Sequence, residues 1–375
     1  MFDSIIDRCG TASYKWDHYG AGVLPLWVAD MDLASPPCVI QALTRRAAHG
    51  VFGYSNITDS LQNAVLVHLS SRYGWEVDPD WLVWLPGVIP GLNLACRAYA
   101  HRGETVMTLV PAYPPFLSAP RNQARHLHTV PLEWDGERWQ IPLRTMEAAI
   151  TPDTRVILLC SPHNPLGRVW SADQLAAVVD LCWNHKLILV SDEIHCDLVL
   201  DAVPHVPSAA SSPHGAACVV TLMSPSKTFN LPGLNFAFAV IPDELLRQRF
   251  VAAGQGWLGL PGCFAVVGAE AAYREGAEWL AELLGYLRGN RDYLQEYIAT
   301  SLPGVTMGHV EATYLAWLDA RATGVAEPAA ACLKAGAALS DGAAFGASAG
   351  FLRLNFGCPR SLLAEGLRRI GRALK

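Results

Sequence analysis

The sequence predicts an α/β fold: a mostly parallel sheet covered by helices on both faces, with a smaller α+β domain attached. Three observations carry this expectation. Apolar runs of strand length recur at residues 81–85, 105–110, 156–160, 187–191, 218–223 and 236–241. Helical patterns lie between several of them, notably at 172–184. Four of the runs end in residues able to do chemistry, and ligand sites of open α/β sheets lie beyond the carboxyl ends of the strands.

Residues 1–45 are irregular and lead through Leu26-Trp27-Val28-Ala29-Asp30-Met31-Asp32 into Ser35-Pro36-Pro37 and a helix over 38–49. The run reads as a short strand, and its acids read equally well as helix caps near Ser35 or as the border of a pocket. A glycine-punctuated loop, Gly50-Val51-Phe52-Gly53-Tyr54-Ser55, carries one exposed-looking tyrosine. Residues 58–73 predict an amphipathic helix. The strand at 81–85 then enters Pro86-Gly87-Val88-Ile89-Pro90-Gly91 and a helix through Ala100. A glycine turn between strand and helix aims free backbone N–H groups outward at the positive end of the helix dipole, which suits a phosphate.

The residues after the next runs differ in kind. They are Pro111-Ala112-Tyr113-Pro114, then Ser161-Pro162-His163-Asn164-Pro165, then Asp192-Glu193-Ile194-His195, then Ser224-Pro225-Ser226-Lys227-Thr228. An aromatic, an amide, a carboxylate and an amine thus share one sheet edge. From Gly276 the alternation stops. A long helix over 279–300, strands at 313–318 and 351–356, an alanine-rich helix near 326–338 and a C-terminal helix over 361–374 make the smaller domain. The expected division is 46–278 for the large domain, with 1–45 and 279–375 forming the small one.

Composition narrows the function. Hydrophobic residues make up 51% of the 375 and charged residues 17%, so a large core is predicted. A net charge of -6 disfavours nucleic acid or an anionic membrane as partner. No apolar run approaches a membrane span, and the first eight residues carry acids rather than a signal-peptide core. The ten cysteines are scattered without a C-x-x-C pair and read as buried, reduced thiols in a cytoplasmic protein. The twelve histidines show no metal-binding spacing, so no metal is expected, and His163, His185 and His205 read as ordinary polar residues. Trp27 and Trp317 read as core.

The strand-end set meets the requirements of pyridoxal 5'-phosphate. The glycine turn at Gly87, Val88 and Ile89, with Ser224 and Ser226, could hold the phosphate. Asp192 could keep the pyridine nitrogen protonated, Tyr113 could stack on the ring, Asn164 could donate to the phenolic oxygen, and Lys227 could form an imine. To attack a carbonyl, Lys227 must be neutral, well below its usual pKa of about 10.4.

These segments, with Thr313-Tyr314-Leu315-Ala316-Trp317 and Phe351-Leu352-Arg353-Leu354-Asn355-Phe356, resemble fold-type I pyridoxal-phosphate enzymes of the class I/II aminotransferase superfamily. Within it the chain resembles the MalY/PatB-type cystathionine β-lyases, or C–S lyases, over nearly its whole length. The resemblance implies Lys227 as Schiff-base lysine and proton shuttle, with Tyr113 as the other candidate catalytic residue. It implies Asp192 on the ring nitrogen, Asn164 on the ring oxygen, His195 close by, and Val88, Ile89, Ser224 and Ser226 on the phosphate. Arg353 would clamp the substrate carboxylate, and Asn164 would also be a substrate-binding residue. Tyr54 would reach the phosphate of a neighbouring subunit, implying a homodimer with shared sites.

Two positions depart from the wider superfamily. Asn235 stands where many aminotransferases carry an arginine, which favours the lyase group, and Leu166 replaces the threonine of the usual N-P-T-G. The implied activity is α,β-elimination on an S-substituted L-cysteine. An aminotransferase and a regulatory protein that keeps the cofactor are the alternatives.

Overall fold

The computed structural model describes residues 2–375. Its centre is a seven-stranded sheet. In chain order the strands are β1 (Leu82–Leu85), β2 (Thr105–Val110), β3 (His126–Pro131), β4 (Thr154–Cys160), β5 (Ile188–Asp192), β6 (Val219–Met223) and β7 (Ala237–Val240). Their spatial order is β1-β7-β6-β5-β4-β2-β3. The pairs from β6 through β3 are parallel; β7 runs against both β6 and β1.

The strands are apolar on both faces because helices cover both. Val156, Leu158 and Cys160 of β4 point into one core with Leu92 and Phe250; Ile157 and Leu159 point into another with Leu61, Val65 and Val178. Alternate residues of a strand face opposite sides. The period-two pattern that marks a one-sided sheet is therefore absent, and the run reads as continuously hydrophobic. Each such side chain, fully buried, contributes roughly 1.5–3 kcal/mol.

A third core gathers Phe2, Leu26, Met31 and Val39 with Leu280, Leu283, Leu287, Leu294 and Ile298 of the helix Ala277–Ser301. It also takes in a four-stranded sheet: β8 (Thr306–Met307), β9 (Leu315–Asp319), β10 (Ser340–Asp341) and β11 (Phe351–Asn355), ordered β8-β9-β11-β10. The helix Arg360–Ala373 packs there through Leu363, Leu367 and Ile370.

Several local expectations need correcting. The alanine-rich segment is helical only over Pro328–Lys334; Gly336 then turns with φ 88°, and Ala337–Ala338 pairs with Leu24–Pro25 as a short parallel ladder. Tertiary pairing overrides the helix propensity of alanine there. The expected strand over 26–31 is irregular instead. The edge strand β3 is polar and half-exposed, so its pattern is weak. Seven of the ten cysteines are buried, but Cys38 and Cys263 are half-buried and Cys9 is exposed. Among the described residues no helix is long and apolar enough to cross a membrane.

Candidate active site

The topology explains why distant residues meet. The carboxyl ends of β1, β2, β4, β5 and β6 lie at one edge of the sheet, and the amino end of antiparallel β7 lies there too. A cavity of about 210 Å³ opens at that edge. It is lined by Gly87, Val88 and Ile89 after β1, Tyr113 after β2, Asn164 after β4, Asp192 and His195 after β5, and Ser224, Ser226 and Lys227 after β6. Arg353, expected on the substrate, and Tyr54, expected at a neighbouring subunit, lie elsewhere. Arg353 lines an adjoining cavity of about 540 Å³ that shares Ala29, Tyr113 and Lys227 with the first. Tyr54 is fully exposed in the loop before the helix Asp59–Tyr73 and lines neither.

Lys227 sits on a single helical turn, Pro225–Thr228. Ser224 caps that turn: its Oγ accepts from the Ser226 N–H at 3.1 Å and lies 2.6 Å from the Phe236 carbonyl oxygen. On the far side, Thr228 Oγ1 donates to Asp197 Oδ2 at 3.0 Å. Burial opposes charge on Asp197, yet His68, Tyr73 and Arg72 hold its carboxyl down at about 2. The turn is thus fixed from both ends, and the lysine stem is directed between the cavities. Its Nζ donates to the Ala29 carbonyl oxygen at 2.6 Å. Burial pushes the Lys227 ammonium down to about 8; Asp30 pulls it back up, and Arg353 pushes it further down.

Asp192 is the last residue of β5, opposite Cys160 of β4 and Leu222 of β6. Its Oδ1 accepts from the Ile194 N–H at 3.1 Å. Burial raises this carboxyl to about 7, while the Ile194 bond and Lys227 pull it down. His195 is buried beside it, edge-on to Tyr314, and burial pushes its imidazole down to about 3. It is neutral near pH 7.

Arg353 on β11 is buried and donates from Nη1 to Asn164 Oδ1 at 3.1 Å and from Nη2 to the Trp27 carbonyl at 2.7 Å. Its Nε has no partner among the described residues. Burial lowers the guanidinium to about 10, still fully charged at neutral pH. A planar cation with a free donor at a cavity wall suits a carboxylate.

Of the two readings open for the segment 26–32, the structure favours the border of a pocket: Trp27, Val28 and Ala29 line the larger cavity. The acids Asp30 and Asp32 cap no helix; they pair with Arg8 at 2.6 and 2.5 Å, and Asp32 also pairs with Lys15 at 2.8 Å. The helix Pro37–His49 has no side-chain cap at all. The charge cluster fixes the backbone whose Ala29 carbonyl receives Lys227, and Tyr314 donates to that carbonyl at 3.0 Å. Trp27, expected in the core, lines the larger cavity. Trp317 is buried as expected. His163 and His205 are buried and bonded to the Pro111 carbonyl and to Glu193, and His185 contacts Glu147 at the surface.

The residues present fit pyridoxal 5'-phosphate. A buried carboxylate with one backbone donor has room for a protonated ring nitrogen. The helix Val88–Tyr99 starts without a side-chain cap, leaving its first N–H groups for a phosphate. A lysine amine of lowered pKa lies on the same cavity.

The profile of the family described as aminotransferase class I and II matches residues 21–370. The chain is 40% identical to cystathionine beta-lyase PatB of Bacillus subtilis, covering 100% of this chain and 99% of that one. The crystal structure of OvoB superposes with a TM-score of 0.97 at 43% identity, over 100% of this chain and 99% of the other. The pyridoxal-phosphate-bound C–S lyase of Staphylococcus hominis superposes with a TM-score of 0.95 at 30% identity, over 100% and 98%. With the fold, the cavity and these likenesses in agreement, the chain belongs to the class I and II aminotransferase family.

Proposed function

We propose that this protein is a pyridoxal-phosphate-dependent carbon–sulfur lyase that cleaves S-substituted L-cysteines, cystathionine among them, by α,β-elimination. The observation that carries the reading is the lysine amine of lowered pKa placed on a cavity shared with a buried carboxylate, in a chain whose full-length relatives include a cystathionine beta-lyase.

Bound at this edge, the cofactor would have its phosphate on the N–H groups of Val88 and Ile89 and on Ser226, and its ring nitrogen on Asp192. Tyr113 would lie on its ring, with Asn164 and His195 at its rim. The group supplies an electron sink for the pair left at the substrate Cα. The chain's own residues do the rest. Arg353 binds the α-carboxylate and fixes which bond at Cα faces Lys227. Lys227, its ammonium pushed down to about 8, removes the Cα proton as general base in its neutral form. Asp192 keeps a negative charge where positive charge must persist. The Cβ–S bond then breaks with its electron pair on sulfur, and the thiol leaves with a proton. The remaining three-carbon enamine hydrolyses, so thioether plus water gives thiol, pyruvate and ammonia.

We also propose a homodimer in which Tyr54 reaches the phosphate site of a second copy. What supports it is the full exposure of Tyr54 beside exposed Val51 and Phe52. Aminotransfer would share proton removal by Lys227 but needs a keto-acid acceptor. Incubation with cystathionine and no acceptor separates the two. Stoichiometric thiol and pyruvate support elimination; strict dependence on an acceptor contradicts it.

A further inference from the structure

The larger cavity has an uneven chemistry. Its floor carries Arg353 and Lys227, and its walls are aromatic and aliphatic. Tyr14, Tyr19 and Trp27 form one wall, with ring centroids 5.3 Å apart for Tyr14 and Trp27 and 5.6 Å apart for Tyr19 and Trp27. Phe345 forms another, under the Arg353 guanidinium at 4.8 Å. Beyond the floor, the remaining charged residue lining this cavity among the described residues is Asp341, an exposed acid that already accepts from the Ala343 N–H.

We infer that the protein takes S-substituted cysteines whose sulfur substituent is uncharged and aromatic or bulky aliphatic, in preference to cystathionine. The inference rests on the elimination reading above and names its substrate class. Arg353 is spent on the α-carboxylate, and Lys227 is needed for the Cα proton. The far half of cystathionine ends in an ammonium and a second carboxylate. Asp341 could receive the ammonium, but beyond Arg353 and Lys227 this chain lines the cavity with no cation for the carboxylate. The carboxylate would meet neutral hydroxyls such as those of Tyr14 and Tyr19 but no ionic partner, and desolvating it on those terms is unfavourable. A flat apolar group, by contrast, gains contact area and offset stacking there. The rings gather on Trp27, whose indole N–H donates to the Lys15 carbonyl at 3.3 Å, so the wall is tied to the charge cluster behind it.

The test is a steady-state panel of S-methyl-L-cysteine, S-benzyl-L-cysteine and L-cystathionine on the cofactor-loaded protein, following thiol and pyruvate. The expected kcat/KM for the benzyl substrate exceeds that for cystathionine by about tenfold or more, the scale of a pocket-contact difference. Tyr14→Ala removes a largely exposed ring, 71% accessible, so folding is not at stake. It should raise KM for S-benzyl-L-cysteine several-fold more than for S-methyl-L-cysteine, with kcat moving little. Ala330→Arg adds a cation at an exposed wall position and should lower KM for cystathionine selectively. Cystathionine equal to or better than the benzyl substrate, with thiol released from both, overturns this inference and leaves elimination standing. Release of neither thiol nor pyruvate from any of the three overturns both.

Discussion

Arg353 Nη1 donates to Asn164 Oδ1 across 3.1 Å, joining two residues 189 positions apart. One stands on the small sheet and the other beyond the end of β4. The bond couples the group that would bind the substrate carboxylate to the group that would touch the cofactor's ring oxygen. Arg353→Lys keeps the charge but loses the planar fork. It should raise KM by about 10-fold or more, the worth of a charge-assisted bond. Asn164→Ala should do less, and the double variant should fall short of the product of the two, because the residues share one bond. Steady-state kinetics on all three variants checks this.

Asp192 costs stability before it serves chemistry. Its folded pKa of about 7 lies above the unfolded carboxylate value, so the folded state holds the extra proton between the two. Stability of the cofactor-free protein therefore falls as pH rises from about 4 to about 7. Asp192→Asn removes this penalty. At pH 8 the cofactor-free variant should be more stable than the wild type by up to about 4 kcal/mol, and the advantage should vanish at pH 4. Thermal melts at both pH values measure it. The same variant should lose turnover by about 100-fold or more, since a neutral amide no longer stabilises a ring cation.

Lys227 should set a pH dependence of opposite origin. Its pKa of about 8 means the amine is mostly protonated at pH 7 and mostly neutral at pH 9. The rate at which cofactor-free protein attaches pyridoxal phosphate should rise through pH 8 and level off above it. Stopped-flow absorbance across pH 6–10 follows it directly. A flat profile would contradict a titrating lysine at this position.

Thr228→Val keeps the shape of the side chain and deletes its bond to Asp197. Leaving a buried carboxylate short of one donor costs roughly 1–3 kcal/mol. The melting temperature should drop, and kcat should fall as the turn bearing Lys227 loosens. A variant with normal stability and normal kcat would show that Asp197 does not anchor the turn.

Much of the fold was legible because a two-faced parallel sheet writes itself as continuous apolar runs. The ends of those runs then pointed to Asn164, Asp192 and Lys227, which all line one cavity. The segment 26–32 was legible only as a choice between helix caps and the border of a pocket. Its contacts run through a backbone carbonyl, Ala29 O, and through acids whose cationic partners Arg8 and Lys15 sit on an irregular stretch with no periodicity to place them. Trp27 was read as core because a tryptophan in an apolar run looks the same whether it faces a core or a cavity. Polar β3 was missed for a similar reason: an edge strand buries too little to show a pattern.

The chain has five lysines: Lys15 is deeply buried and held by Asp32 at 2.8 Å, Lys227 is half-buried, and the other three are exposed. Reducing the cofactor-loaded protein with borohydride, then mapping the modified peptide by mass spectrometry, identifies the amine that carries pyridoxal phosphate. The predicted result is label on Lys227 alone, with both label and pyruvate release lost in Lys227→Ala. Label on Lys15 or any other lysine, or undiminished turnover in Lys227→Ala, would contradict the account.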